Sequence, residues 1–174
     1  MNSKAVDNNN NCGKFLSNNL TVPDSGLNGV CHGMRCLKGG KSGRHFAVGR
    51  VLRTFVSNCG VPLVGYETGM SRLVNPEYLS DELAGKRIDF VVNYAGLQTA
   101  YDQTVIHCTR TDDLLTELRL KSSKKIAYYS DPLKRSGIQF IPLTMTALGY
   151  FGLELEGFVK MFKRIAKENG RFVN

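Results

Sequence analysis

Two strand-like stretches separated by a short turn constrain the fold of this chain more than any other feature. They read RIDFVVNY, residues 87–94, and QTAYDQTVIHC, residues 98–108. Both are rich in β-branched and aromatic side chains, which favour strands. If residues 95–96 form a two-residue turn, Asp89 lies directly across the hairpin from Asp102. If the turn instead spans YAGLQT, the register shifts and each aspartate is a surface group near a strand end.

The first register places two like charges side by side, and opposed like charges destabilise a hairpin. A cation bound to both carboxylates would remove this repulsion. Mg²⁺, or Mn²⁺ in its place, is a hard ion that binds carboxylate oxygens together with water and phosphate oxygens. Asp89 and Asp102 are therefore predicted metal ligands. Glu67, on the preceding predicted strand, is a third candidate and is otherwise a surface group at a strand end.

The hydrophobic periodicity predicts a mixed sheet flanked by helices, an α/β (α+β) fold. The predicted elements are a helix from Arg44, a strand over 61–68, strands over 87–94 and 98–108, a helix over 111–129, a strand over 138–146 and a helix over 153–168. Their order is α-β-β-β-α-β-α.

Polar composition sets the N-terminal part of the chain apart. Residues 1–30 are Asn-rich and contain turn residues, so a flexible segment is expected there. Residues 31–43 read as a Gly-rich loop that contains cysteine and histidine, and residues 169–174 as a tail. Between them, residues 44–168 form the predicted folded domain. A chain of 174 residues is long enough for one domain with its own core.

The net charge of +8 is unevenly distributed along the chain. Residues 31–60 carry six basic and no acidic side chains, and residues 61–102 carry three basic and six acidic ones. Residues 103–174 carry twelve basic and seven acidic ones. Basic segments around an acidic middle are typical of a protein that binds a polyanion such as nucleic acid. They fit equally a soluble basic protein that has no such partner.

The cysteines bear on both compartment and metal binding. Five cysteines, an odd number, and a polar start without an apolar signal segment indicate an intracellular protein with reduced thiols. No apolar run is long enough to cross a bilayer, so no membrane partner is expected. The candidate zinc ligands are Cys12, Cys31, His32 and Cys36. Adjacent ligands at Cys31 and His32 suit one tetrahedral ion poorly, so free thiols are the alternative to a zinc site.

Several short motifs occur in an order that resembles a known family. The first, HGMRCLKGGKSGRH, has a His-x3-Cys-x2-Gly-Gly pattern followed by Arg-His at a helix start. KRIDF and YDQTV each provide an aspartate on a strand, KKIAYY and SGIQFIPL form a Lys-rich helix before a strand, and ALGYFG is a Gly-rich turn before the last helix. Over residues 32–168 the chain resembles the restriction-like PD-(D/E)xK endonuclease region of site-specific non-LTR retrotransposons and related reverse-transcriptase-like open reading frames.

This resemblance implies a restriction-endonuclease-like α-β-β-β-α-β core that hydrolyses DNA phosphodiester bonds in the nucleus. Asp89 and Asp102 would hold Mg²⁺, and Lys125, on the helix after the third strand, would be the catalytic lysine. Without the resemblance, the KSSKK run around Lys125 reads as a solvated basic helix face. Basic side chains on or just after this helix fit phosphate contacts: Lys121, Lys124, Lys134 and Arg135.

The chain departs from the pattern of the family at three positions. Ile88 replaces the proline of the PD pair, Thr104 stands where a third-strand lysine is common, and Thr146 stands where a glutamate is usual. Ile88 need not affect the chemistry, but the missing lysine at Thr104 and the missing glutamate at Thr146 favour a second class of function, a nuclease fold that has lost catalysis and serves as a nucleic-acid-binding module. An inactive fragment of a retroelement protein is the third alternative.

Overall fold

The computed structural model describes residues 41–106, 113–147 and 149–171. The chain divides into two compact units, Met1–Phe46 and Ala47–Asn174. Of the first unit, only residues from 41 onward are described. The predicted flexible segment and most of the predicted Gly-rich loop therefore lie outside the described residues.

The long elements follow the predicted α-β-β-β-α-β-α order. In chain order the elements are α1 (Lys41–Asn58), β1 (Leu63–Gly69), α2 (Met70–Leu73), a 3-10 helix (Pro76–Tyr78), α3 (Asp81–Ala84), β2 (Arg87–Tyr94), β3 (Leu97–Ile106), α4 (Leu114–Arg135), β4 (Ile138–Thr146) and α5 (Leu153–Glu168). The fold is mixed α/β, which confirms the predicted fold class.

The four strands form one mixed sheet in the order β1-β2-β3-β4. The β1–β2 and β2–β3 pairs are antiparallel, whereas β3 and β4 are parallel and are connected through α4. Tyr94 pairs with Leu97, so the turn between β2 and β3 contains only Ala95 and Gly96. Both turn residues have positive φ, 50° and 82°, as a type I′ hairpin turn requires. The two-residue turn is thus confirmed, and the longer turn is excluded.

Helices cover both faces of the sheet. On one face α1 and α5 pack on the sheet in a single apolar cluster that includes Phe90, Tyr101 and Leu143 from the strands. On the other face α4 packs together with α2 and α3 against Val91 and Ala100. β2, β3 and β4 bury side chains against the helices on both faces, which removes apolar surface from water on both sides of the sheet.

Two helices differ from their predicted lengths. α1 begins at Lys41, three residues before the predicted start. Its first turn contains a glycine, which disfavours a helix, but most of the stability of a helix comes from packing, here that of the later turns on the sheet. α4 begins at Leu114 and continues to Arg135, past its predicted end at residue 129 and past Pro132, although a proline inside a helix removes a backbone hydrogen bond. Pro132 and Leu133 are buried, and the Ser136 hydroxyl donates a hydrogen bond to the Pro132 carbonyl at 3.0 Å. Packing therefore outweighs the missing proline N–H.

The two edges of the sheet differ from a regular, open strand edge. In β1 the register shifts between Leu63 and Gly65, and Glu67 has a φ of 45°. At the opposite edge Phe151 forms an isolated antiparallel bridge with Met145 of β4. The backbone of the sheet is therefore interrupted on one edge and partly covered on the other.

Candidate active site

Three acidic side chains lie in a row across three adjacent strands. The pairing of β2 with β3 runs up to Phe90 and Tyr101, and Asp89 and Asp102 follow next along this register. β1 pairs with β2 on both sides of Glu67, which brings Glu67 opposite Asp89. A carboxylate oxygen of Glu67 lies within 4.8 Å of one of Asp89. The facing aspartates follow from the predicted register, and the structure adds Glu67 to the same row.

A backbone N–H of the sheet holds the Asp89 carboxylate in place. It is 6% exposed, and its Oδ2 accepts a hydrogen bond from the backbone N–H of Gln103 at 2.6 Å. The Gln103 side chain lies on the opposite face of β3, where a Cβ on Gly49 of α1 would come within 2.7 Å of its Nε2. The close approach of α1 at Gly49 thus helps to fix the residue whose N–H orients Asp89. The sequence gives no sign of this role, since every residue except proline has a backbone N–H.

Lys125 of α4 reaches the same row of carboxylates. Its Nζ is in direct contact with Asp102 Oδ2, and the two side chains are 24% and 8% exposed. Burial raises the pKa of Asp102 to about 6, and the neighbouring Asp89 raises it as well, whereas Lys125 lowers it. Lys125 therefore offsets only part of the cost of placing Asp102 in this buried, acidic position.

A buried polar cluster one helical turn from Lys125 fixes the rotation of α4. The Ser122 hydroxyl donates to Glu154 Oε2 of α5 at 3.1 Å and shares a hydrogen bond with the Thr144 hydroxyl of β4 at 3.0 Å. Ser122 and Thr144 are almost fully buried. Gly152 passes so close to Thr144 Oγ1 that no side chain would fit there. Ser122 and Lys125 lie on the same face of the helix, so this cluster also aims Lys125 at Asp102.

Glu67 has an unusual backbone conformation for its residue type. Its φ of 45° lies in the left-handed region, which non-glycine residues adopt rarely and at a cost of about 1–3 kcal/mol. Strained residues of this kind concentrate at functional sites. The conformation was not predictable from the sequence, because glutamate has no preference for it.

The basic residues predicted to contact phosphate divide into two groups. Lys121 and Lys124 are exposed on α4, within one turn of Lys125. Lys134 lies nine residues after Lys125, on roughly the opposite side of a helix with 3.6 residues per turn. Arg135 pairs with Asp131 at 3.0 Å. The structure therefore brings Lys121 and Lys124 near the carboxylates but not Lys134 or Arg135.

The predicted zinc ligands Cys12, Cys31, His32 and Cys36 lie outside the described residues, so the zinc site stays a prediction. Thr146, which stands where the family has a glutamate, is buried, and its hydroxyl accepts a hydrogen bond from the Tyr150 N–H at 3.1 Å.

The donor set fits a hard divalent cation. Glu67, Asp89 and Asp102 offer only carboxylate oxygens, the ligands that Mg²⁺ and Mn²⁺ prefer. The spacing of Glu67 and Asp89 suits a single ion bound directly or through a coordinated water. The neighbouring carboxylates of Asp89 and Asp102 repel each other, and a bound cation would reduce this repulsion.

Without metal, the protein is expected to lose stability as the pH rises through the range in which Asp102 ionises. The folded protein holds this proton up to a pKa of about 6, whereas the ordinary value is 3.8. Between these values the folded state binds more protons than the unfolded state, so the free energy of unfolding falls as the pH rises. Urea unfolding in EDTA from about pH 4 to 8 should show the free energy of unfolding of the parent falling relative to that of Asp102→Asn. A stability difference that does not change with pH would contradict this assignment.

No protein-family model matches the chain, and comparison with curated proteins gives no match. Among the described helices, none combines the length and the apolar character needed to cross a membrane.

Proposed function

We propose that this protein is a metal-dependent DNA endonuclease of the restriction-like type, derived from a retroelement and active in the nucleus. The observation that carries the proposal is the convergence of Glu67, Asp89 and Asp102, from three neighbouring strands, with Lys125 from the following helix. Residues far apart in sequence thus form one partly buried cluster of three carboxylates and an ammonium. Such a cluster is costly for a fold and typical of a reaction centre.

In this proposal each side chain has a separate task. Asp89 and Asp102 would hold Mg²⁺ or Mn²⁺, with Glu67 as an additional ligand. When bound, the ion polarises the phosphate and lowers the pKa of the attacking water. Lys125 would donate hydrogen bonds to the phosphate oxygens as negative charge develops on them.

Substrate binding would depend on basic side chains next to this cluster. Lys121 and Lys124 are exposed and within one turn of Lys125, so they would contact phosphates that flank the reacting one. Such contacts position the DNA backbone but do not read its sequence. The site therefore supports an activity on DNA without indicating a target sequence.

The direct test is a nicking assay on supercoiled plasmid DNA with the purified full chain. We expect nicked plasmid to accumulate with Mg²⁺ or Mn²⁺ and none to form in EDTA. Without the ion, the carboxylates cannot polarise the phosphate or lower the pKa of the attacking water. Nicking that persists unchanged in EDTA would contradict a metal-dependent mechanism.

A nucleic-acid-binding module without catalysis is the second candidate, and one observation favours it. The Thr146 position, buried and hydrogen-bonded to the backbone of Tyr150, contributes no carboxylate to the site. In this case DNA would bind with the same salt dependence but would not be cut. The plasmid assay combined with a binding assay separates the two functions.

Both candidates predict that Lys121 and Lys124 determine the salt dependence of DNA binding. Each phosphate contact contributes about 0.9 to the slope of log affinity against log salt, so changing both lysines to alanine should reduce the slope by about 2. Fluorescence anisotropy of a labelled duplex across a salt series measures this slope. The matched control changes Lys160 and Lys163, exposed on α5 across the sheet, and should leave the slope unchanged. Equal slopes for the parent and the Lys121/Lys124 variant would exclude these contacts.

A further inference from the structure

The role of Lys125 before any metal ion binds follows from its contact with Asp102. The ammonium touches Asp102 Oδ2 directly, and only 24% of the lysine side chain is exposed. Its helix is anchored one turn away by the Ser122 hydrogen bonds to Thr144 and Glu154. Lys125 is therefore held against this carboxylate by the fold, unlike a surface lysine that meets it by chance.

A divalent ion and the ammonium cannot both occupy this position. Mg²⁺ and Mn²⁺ bind carboxylate oxygens at about 2.1 Å, closer than any ammonium hydrogen bond. Two cations on one carboxylate oxygen would also repel each other strongly in a buried site, where solvent screening is weak. Asp102 Oδ2 can therefore serve either Lys125 or the metal ion.

We propose that Lys125 is the internal counter-ion of the carboxylate row and competes with the divalent cation for Asp102, an inference that rests on the proposed function. In the metal-free protein the ammonium partly neutralises Asp102. Metal binding through Oδ2 would require Lys125 to release that oxygen, and the ammonium would then be free to contact the phosphate. The same residue thus weakens metal binding in the absence of DNA and supports the reaction in its presence.

This proposal predicts that removing the Lys125 charge increases the affinity of the site for metal. Removing a residue that only supports the site would weaken metal binding or leave it unchanged. Removing a competitor should strengthen it. An opposite charge in contact with a carboxylate changes its affinity for protons by about tenfold or more. We expect a similar gain in Mn²⁺ affinity when the Lys125 charge is removed, about tenfold.

The experiment measures Mn²⁺ binding to the full chain by electron paramagnetic resonance at pH 8 without DNA. Lys125→Met keeps most of the length and apolar stem of the side chain, and Lys125→Gln is a second variant with a polar end. Lys163→Met is the matched control, because it removes the same charge from an exposed position on α5, on the other face of the sheet. We expect tighter binding in both Lys125 variants and nearly unchanged binding in Lys163→Met.

The outcomes separate this inference from the proposed function. If the parent binds Mn²⁺ and the Lys125 variants bind it equally or more weakly, Lys125 does not compete with the cation, and the proposed metal site is still supported. If neither the parent nor the variants bind Mn²⁺, both the inference and the proposed nuclease are wrong. In the parent itself, the nitrogen resonance of the Lys125 ammonium should shift during a Mg²⁺ titration. Metal binding that leaves this resonance in place would also overturn the inference.

Discussion

Replacing Asp102 by asparagine is expected to lower the rate of Mg²⁺-dependent nicking by about a thousandfold. Asparagine keeps the size of the side chain but loses the charge that would hold the ion and that pairs with Lys125. Stabilisation of transition-state charge by a metal ion contributes several kcal/mol, and each 1.36 kcal/mol corresponds to about a tenfold change in rate. The rate of conversion of supercoiled to nicked plasmid under single-turnover conditions measures the effect.

The control for this variant is Asp81→Asn. Asp81 is exposed in the first turn of α3, outside the three strands that carry the carboxylate row. The change removes the same charge from the protein, so it corrects for any effect of net charge on DNA affinity. Asp81→Asn should nick at the parent rate. If Asp102→Asn also nicks at the parent rate, Asp102 has no part in the reaction and the proposed site is wrong.

Among the variants proposed here, Phe158→Ala should lose the most stability, about 3–5 kcal/mol in the free energy of unfolding. The Phe158 ring lies 4.6 Å from that of Phe162, 5.1 Å from that of Tyr101 and 6.2 Å from that of Phe90, measured between ring centroids. These rings come from α5 and from two strands of the sheet, so truncating Phe158 leaves a cavity where three elements meet. Urea unfolding followed by circular dichroism measures the loss.

A second phenylalanine on an exposed segment provides the matched control. Phe151 is 42% exposed, and Phe151→Ala should cost less than about 1 kcal/mol because surface substitutions have small effects. Equal losses for the two variants would mean that Phe158 does not lie in a packed core.

The hairpin shows which features can be derived from sequence. The Ala95–Gly96 turn fixes the register, and the register determines which side chains oppose each other. Because these rules are local, the facing of Asp89 and Asp102 could be predicted before any tertiary contact was known. The last helix was predictable for a similar reason, since the apolar stripe of α5 extends over its full length.

The rest of the site depends on contacts between distant segments. Lys125 lies 23 residues from Asp102 in sequence, and no periodicity indicates that their side chains meet. Lys125 was predicted to be catalytic only through the family resemblance. Taken alone, a lysine in a basic helix is expected to face solvent. The backbone amide of Gln103 and the left-handed conformation of Glu67 have no signature in residue type at all. Tertiary packing also extended α4 beyond Pro132, against its local preference.

The irregular edges of the sheet have a consequence for self-association. Val64 and Tyr66 expose apolar side chains on β1, and an exposed apolar edge strand is normally a site where further chains add and aggregate. An incoming strand needs an evenly spaced series of N–H and C=O groups, which the register shift near Gly65 and the left-handed Glu67 interrupt. The backbone distortion that accompanies a candidate metal ligand thus also opposes growth of the sheet into intermolecular assemblies.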